Sequence, residues 1–424
     1  MKVAVVGLGH IGLPLAVQYA SRGHQVTGCD VSAPIVDAIN RGTSPHRDEE
    51  SVDARIAELV ADRRLRATTD DAEGVRDADV VVVIVPVVVD GDRQIDFGPI
   101  DAATRDIARG LQPGTLVIYE TTLPVGTTRD RFGPMLAAGS GLQLEEGFFL
   151  AFSPERVLVG RVLVDLQRYP KIVGGTSEES TRRAVEFYRS ALEDATDVWA
   201  VSNAETAEMT KLAETTYRDV NIALANEYAR YAAKRGIDVL EVIGAANSQP
   251  YSHIHQPGVG VGGHCIPVYP HFLFNTEPDL RLPPLARQIN EEMASWTVDL
   301  VEDRVGSLDD QSVLILGIAY RADVREDAFS SAFRLRDELL AAGARVHAHD
   351  PYFSAAHLRD LGFEPYDLEH PKPVKVAILQ AGHAAYAELR PTTLPGVELI
   401  VDGRNVLDAA LFAGSSVAYV GIGH

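Results

Sequence analysis

The sequence predicts an α/β protein with a parallel-sheet unit at each end and a helical stretch between them. Three observations carry that prediction. Short β-branched runs alternate with helical patterns from the first residues onward, a stretch free of Gly and Pro runs from Glu205 to Lys234, and the alternation resumes at Ser312. Strands that alternate with helices form parallel sheets, because each crossover helix covers a sheet face.

In chain order, residues 2–6 read as a buried strand that enters Gly7-Leu-Gly9-His10-Ile11-Gly12. The first glycine of such a run permits the tight turn, the second lets a pyrophosphate approach, and the third allows close helix–strand packing. Pro14 falls in the first helical turn, where a missing N–H costs little. A second strand, 25–30, ends on Asp30, 18 residues after Gly12. A carboxylate there accepts hydrogen bonds from ribose hydroxyls and repels an added phosphate, so the cofactor expected is NAD, held by Gly7, Gly9, His10, Ile11, Gly12 and Asp30. This opening is a Rossmann-type dinucleotide-binding pattern. Cys29, at the strand end, reads as a small apolar residue.

Further strands are expected at 80–86, 116–119 and 148–152. Ligands of open parallel sheets lie beyond the carboxyl ends of the strands, so Pro86 and Thr122 are expected to face the nicotinamide. Thr121 and Thr122 serve equally well as helix caps. The Glu205–Lys234 stretch predicts a helix of about 45 Å, long enough to join domains and to form a dimer interface. Lys211 within it reads, by itself, as a solvated lysine. A helix over 285–305, a strand over 312–317, a helix over 328–342 and strands over 345–350, 374–379 and 397–402 complete the pattern. The expected division is an NAD-binding domain over 1–198, a central helical domain over 199–306 and a C-terminal α/β domain over 307–424. Gly317 lacks the full glycine pattern, so no second NAD site is expected there.

Pro257 to Pro270 stands apart. Gly258, Gly260, Gly262 and Gly263 precede His264 and Cys265. So many glycines resist both helix and strand and suit backbone that approaches a ligand with its N–H groups. A thiolate needs such donors nearby to form at neutral pH, so Cys265 is a candidate nucleophile; a surface loop with an incidental thiol is the plainer alternative.

Composition narrows the choices. The net charge of −21 argues against nucleic acid as a partner, since phosphate-backbone binding needs a basic face. No apolar run is long enough to span a membrane, and Met-Lys-Val-Ala-Val-Val leads straight into a strand with no signal-peptide pattern. Two cysteines build neither a disulfide framework nor a conventional zinc site; no metal and a cytoplasmic location are expected.

Six motifs stand in one order: Gly7–Gly12, Thr122-Leu-Pro-Val-Gly-Thr127, Ser153-Pro-Glu-Arg-Val157, Lys211 with Asn221-Ile-Ala-Leu-Ala-Asn-Glu227, Gly260-Val-Gly-Gly-His-Cys-Ile-Pro267, and Gly317-Ile-Ala-Tyr-Arg321. Together they resemble the UDP-glucose/GDP-mannose dehydrogenase family across nearly the whole chain. The Ser-Pro-Glu-Arg-Val and Gly-Gly-His-Cys-Ile-Pro forms are most similar to its UDP-N-acetylglucosamine/UDP-N-acetylmannosamine 6-dehydrogenase branch. The resemblance implies an NAD-dependent, four-electron oxidation of a sugar C6 alcohol to a uronate through a thiohemiacetal and a thioester. It assigns Cys265 as nucleophile, Lys211 to stabilise charge on the C6 oxygen and contact substrate, Glu155 as general base and Thr122 to orient water. It assigns Arg156, Arg321 and Arg325 to the nucleotide sugar, with the amides of Gly258, Gly260, Gly262 and Gly263. A homodimer is implied as well.

Three positions depart from the family pattern: Thr215 stands for asparagine, Tyr269 for aspartate, and Tyr251 near an expected arginine. The first two bear on alkoxide and water, the third on the sugar. Other readings are a UDP-glucose or GDP-mannose 6-dehydrogenase, a two-electron β-hydroxyacid-type dehydrogenase, and a non-catalytic nucleotide-sugar-binding homologue.

Overall fold

The computed structural model describes residues 1–46, 50–91 and 93–424. Its contacts divide the chain into two units, Met1–Glu214 with His271–Thr276, and Thr215–Pro270 with Glu277–His424.

Val80–Val83 explains how the first unit is built. Four consecutive valines, all buried, need apolar cover on both faces, which a central strand of a helix-flanked parallel sheet supplies. The sheet has eight strands, in the spatial order Val198–Ala200, Lys171–Gly175, Phe149–Phe152, Leu116–Tyr119, Val80–Val83, Lys2–Val6, Gln25–Cys29 and Leu65–Thr68. Neighbours run parallel except Phe149–Phe152 and Lys171–Gly175, which pair antiparallel with Phe152 opposite Gly174. Helix Gly12–Ser21 packs Leu13, Leu15 and Tyr19 onto this core. The strand expected over 80–86 stops at Val83, and the chain turns outward to an exposed Pro86, which has no N–H for a ladder.

The stretch without Gly or Pro forms one helix, Ala204–Arg235. Ala207, Leu212, Ala223, Ala225 and Ala229 are buried, while Tyr217, Leu224, Tyr228 and Tyr231 are exposed.

The second unit holds an all-parallel, six-stranded sheet in the order Glu364–Pro365, Arg345–His349, Ser312–Leu316, Val376–Leu379, Leu399–Asp402 and Ala418–Gly421. Helix Leu282–Val305 starts slightly earlier than expected, and helix Ser331–Ala341 starts later, because Ser330 caps it by accepting from the Ala332 amide at 3.2 Å.

The two units repeat one device. Asp30 Oδ2 accepts from the Leu8 amide at 2.9 Å, and Asp350 Oδ2 accepts from the Ile318 and Ala319 amides at 2.7 and 3.0 Å. In the second unit that carboxylate is buried and also meets His383 Nε2 at 3.0 Å, so it is committed to the fold. Among the described residues no helix is long and apolar enough to cross a membrane.

Candidate active site

The three glycines after the first strand answer to different constraints. Gly7 has φ +94°, and a Cβ on it would lie 2.7 Å from the Ile84 carbonyl oxygen. A Cβ on Gly12 would lie 1.8 Å from the Gly7 carbonyl oxygen. Beside Gly9 no atom of the described residues, its chain neighbours aside, lies within 4 Å of that position. The outer two glycines serve the fold, and the middle one leaves open space next to the N-terminal end of helix Gly12–Ser21. That space suits a pyrophosphate, whose charge the first-turn amides attract. Asp30 is held at the strand end by the Leu8 and Ser32 amides, each at 2.9 Å, where ribose hydroxyls can donate to it. Ile11 packs against the core, and His10 lies exposed with its ring 4.4 Å from that of His46. These residues fit NAD.

Beyond the carboxyl ends of the central strands, Thr121 Oγ1 donates to the Val85 carbonyl at 2.8 Å and Thr122 is buried. Glu155 does not stand alone there. Lys171 Nζ donates to Glu155 Oε2 at 2.7 Å and to Glu120 Oε2 at 2.8 Å. Burial works to raise the Glu155 carboxyl, but Lys171 and the Arg156 amide outweigh it and hold the group below its ordinary value. Arg156, expected to meet substrate, turns its guanidinium to the Pro170 carbonyl.

On the long helix, Glu208 accepts from the Gly126 amide at 2.6 Å and from the Thr128 amide and hydroxyl at 2.9 and 2.6 Å. Burial pushes its carboxyl up to about 7 against those donors. It thereby ties the helix to the Thr122–Thr127 motif. Lys211 lies nearly one turn further on and Thr215 a turn beyond that. Both are buried, so the solvated-lysine reading of Lys211 falls.

In the second unit the glycine loop is bare mainly because protein crowds it. A Cβ on Gly258 would lie 2.8 Å from an Arg404 nitrogen, one on Gly260 2.7 Å from Ser331 Cβ, and one on Gly263 2.9 Å from the Tyr320 ring. The Gly258 amide donates to Asn226 Oδ1 at 2.9 Å and the Gly263 amide to the Ala328 carbonyl at 3.0 Å. These two amides, expected at a phosphate, are therefore committed within the chain. Arg404 braces the loop from below, donating to the Gly260 carbonyl at 3.0 Å and, through Nε, to the Gln380 carbonyl at 2.6 Å. Burial lowers its guanidinium to about 10.

Cys265 follows, half-buried, with its carbonyl accepting the Tyr269 amide at 2.9 Å in a tight turn. The other cysteine, Cys29, is buried, and burial pushes its thiol up. Arg321 is half-buried beside the Tyr320 hydroxyl at 3.0 Å, and Arg325 and Tyr251 are exposed.

Sequence reasoning missed Glu120, Lys171, Glu208 and Arg404. Glu120 adjoins the Thr121-Thr122 pair, and a lysine opening the apolar run Ile172-Val173 was a signal, though a faint one.

The largely parallel sheet of the first unit, with its glycine turn and Asp30 at the next strand end, defines a class, the Rossmann-type NAD-binding proteins. Models of the UDP-glucose/GDP-mannose dehydrogenase family match three segments: its NAD binding domain over residues 1–192, its central domain over 205–292 and its UDP binding domain over 314–409. The chain belongs to that family. It is 36% identical over 362 residues to a UDP-N-acetyl-D-mannosamine dehydrogenase of Pyrococcus horikoshii, covering 84% of this chain and 85% of that one. The solved structure of the UDP-D-ManNAc dehydrogenase from that organism superposes with a TM-score of 0.89 at 32% identity, covering 100% of this chain and 99% of the other. An NDP-N-acetyl-D-galactosaminuronic acid dehydrogenase structure from Methanosarcina mazei follows at 0.87 and 31%, covering 100% and 95%.

Proposed function

We propose that this protein is an NAD-dependent nucleotide-sugar 6-dehydrogenase that carries the C6 alcohol of a UDP-N-acetylhexosamine to the carboxylate, with Cys265 as covalent nucleophile. The observation that carries the reading is the accessible thiol of Cys265 at the end of the glycine loop, in a chain whose other cysteine is buried. Bound NAD supplies the hydride acceptor for each oxidation. The chain's own residues do the rest. Lys211 stabilises negative charge on the C6 oxygen. Cys265 Sγ bonds to the aldehyde carbon and retains it as a thiohemiacetal, and its oxidation leaves a thioester. Glu155, with Thr122 orienting the water, takes a water proton as the new C–O bond forms and the C–S bond breaks. Arg321 and Arg325, inside the segment matched by the UDP-binding model, pair with the diphosphate.

The acetamido sugar is supported by the Pyrococcus relative's name, and a homodimer by the exposed aromatic stripe of the long helix. Counting NADH against sugar consumed tests the chemistry. Two per sugar are expected, and Cys265→Ser should retain NAD binding while acid formation stops. One NADH per sugar, or undiminished acid from that variant, overturns the reading.

A further inference from the structure

Three ionisable side chains meet at one edge of the N-terminal sheet because of strand direction. Leu116–Tyr119 and Phe149–Phe152 are parallel neighbours, so Glu120 and Glu155 leave the sheet at the same end. Lys171–Gly175 runs antiparallel to Phe149–Phe152, and continuing that register brings its first residue, Lys171, across from Glu155. Lys171 is 4% exposed and Glu120 1%. The hydroxyls of Tyr19 and Tyr188 donate to Glu120 Oε1 at 3.1 and 2.5 Å, and the Tyr188 ring lies 4.9 Å from Lys171 Nζ. Glu155 Oε1 accepts from the Arg156 and Val157 amides at 2.6 and 3.2 Å. Arg156, Asp165 and Tyr169 line the small cavity beside it; Arg156 is turned to Pro170, and Asp165 is held by the Leu158 amide and Arg161.

A buried ion pair adds little stability over well-packed apolar residues, so stability alone does not account for two carboxylates around one lysine. On the reading of Glu155 as general base, we propose that Lys171, anchored by Glu120, is a positioning residue that keeps Glu155 ionised and aims its carboxylate, with Glu120 taking up the cluster's proton in its place. Each Glu155 oxygen meets an N–H donor, as an ionised acceptor requires. The cluster carries one excess negative charge. Burial pushes Glu120 up to about 7, Lys171 opposing and Glu155 adding to the rise, so near neutrality Glu120 takes up the proton and Glu155 is spared it.

The two partners then act on Glu155 differently. Losing the lysine charge removes the cation that holds Glu155 ionised and raises its pKa; Glu120, which already carries the proton where Glu155 titrates, is mimicked by a neutral glutamine. Carboxyl NMR of the full-length protein, with the Glu155 signal recognised by its loss in Glu155→Gln, reads this without turnover. Lys171→Met should raise the Glu155 pKa by about one unit or more, Lys171→Arg should restore it, and Glu120→Gln, which mimics the protonated acid, should leave it below the ordinary carboxylate value. The acid limb of the pH profile for acid release should move in step. If Lys171→Met does not fold, the order of the two titrations in the wild type decides, the Glu120 signal being recognised by its loss in Glu120→Gln: Glu120 should titrate well above Glu155. A Glu155 that titrates above Glu120, or that Lys171→Met leaves unmoved, overturns the proposal. Failure of the base reading is a separate result: Glu155→Gln would then release acid at the wild-type rate.

Discussion

Gly9 and Gly12 are the same residue type used for opposite purposes, and substitution separates them. A methyl group on Gly12 has nowhere to go, since its Cβ would meet the Gly7 carbonyl at 1.8 Å. Gly12→Ala should therefore cost about 1–3 kcal/mol or more, read as a fall in melting temperature. Gly9→Ala meets no atom among the described residues, so the fold should melt as before while NAD affinity falls at least about tenfold, worth about 1.4 kcal/mol. Equal melting losses in both variants would contradict the division of roles. Asp30 gives a second prediction at this scale. Catalytic efficiency should fall strongly when NADP replaces NAD, because the added phosphate meets a like charge, and Asp30→Ala should narrow the ratio. Equal efficiency with both cofactors in the wild type would count against this use of Asp30. The glycine turn and Asp30 were legible as a local pattern because they are close in sequence. That Glu155 would meet Glu120 and Lys171 was not, since only strand direction brings the three together.

At the scale of elements, the long helix was readable because nothing in it breaks a helix and apolar residues recur along it. The strands Lys171–Gly175 and Leu65–Thr68 were harder, one ending in two glycines and the other so short that its alternation, with Leu65 and Ala67 inward, spans only four residues. The helix also carries a prediction. Tyr217, Leu224, Tyr228 and Tyr231 follow one another at intervals of seven, four and three residues, which lines them along one face, and all are exposed. Such a stripe is covered most economically by its own copy across a twofold axis. Light scattering at micromolar concentration should give the mass of a dimer, and Leu224→Glu combined with Tyr228→Glu should give a monomer. A monomeric wild type would remove the basis for the interface.

For the whole molecule, the open question is which sugar the family chemistry serves. The acidic chain, with its net charge of −21, has Arg321 and Arg325 in the segment that follows the strand Ser312–Leu316, and on the proposed function these two meet the diphosphate. The Ser153–Val157 and His264–Pro267 motifs resemble the acetamido-sugar branch, in agreement with the name of the Pyrococcus relative. Tyr269 stands where the family pattern has aspartate and Tyr251 near an expected arginine, and on the proposed function aromatic surface with a single hydroxyl at these positions should favour a bulkier, less polar sugar face. UDP-N-acetylhexosamines should therefore be oxidised at least about tenfold more efficiently than UDP-glucose, a difference of about 1.4 kcal/mol in transition-state binding. NADH absorbance on UDP-glucose, both UDP-N-acetylhexosamines and GDP-mannose measures this directly. Preference for UDP-glucose would overturn the branch assignment. Activity on none of the four, with NAD still bound, would shift the balance to a binding protein in which Thr215 and Tyr269 have ended the hydrolytic step.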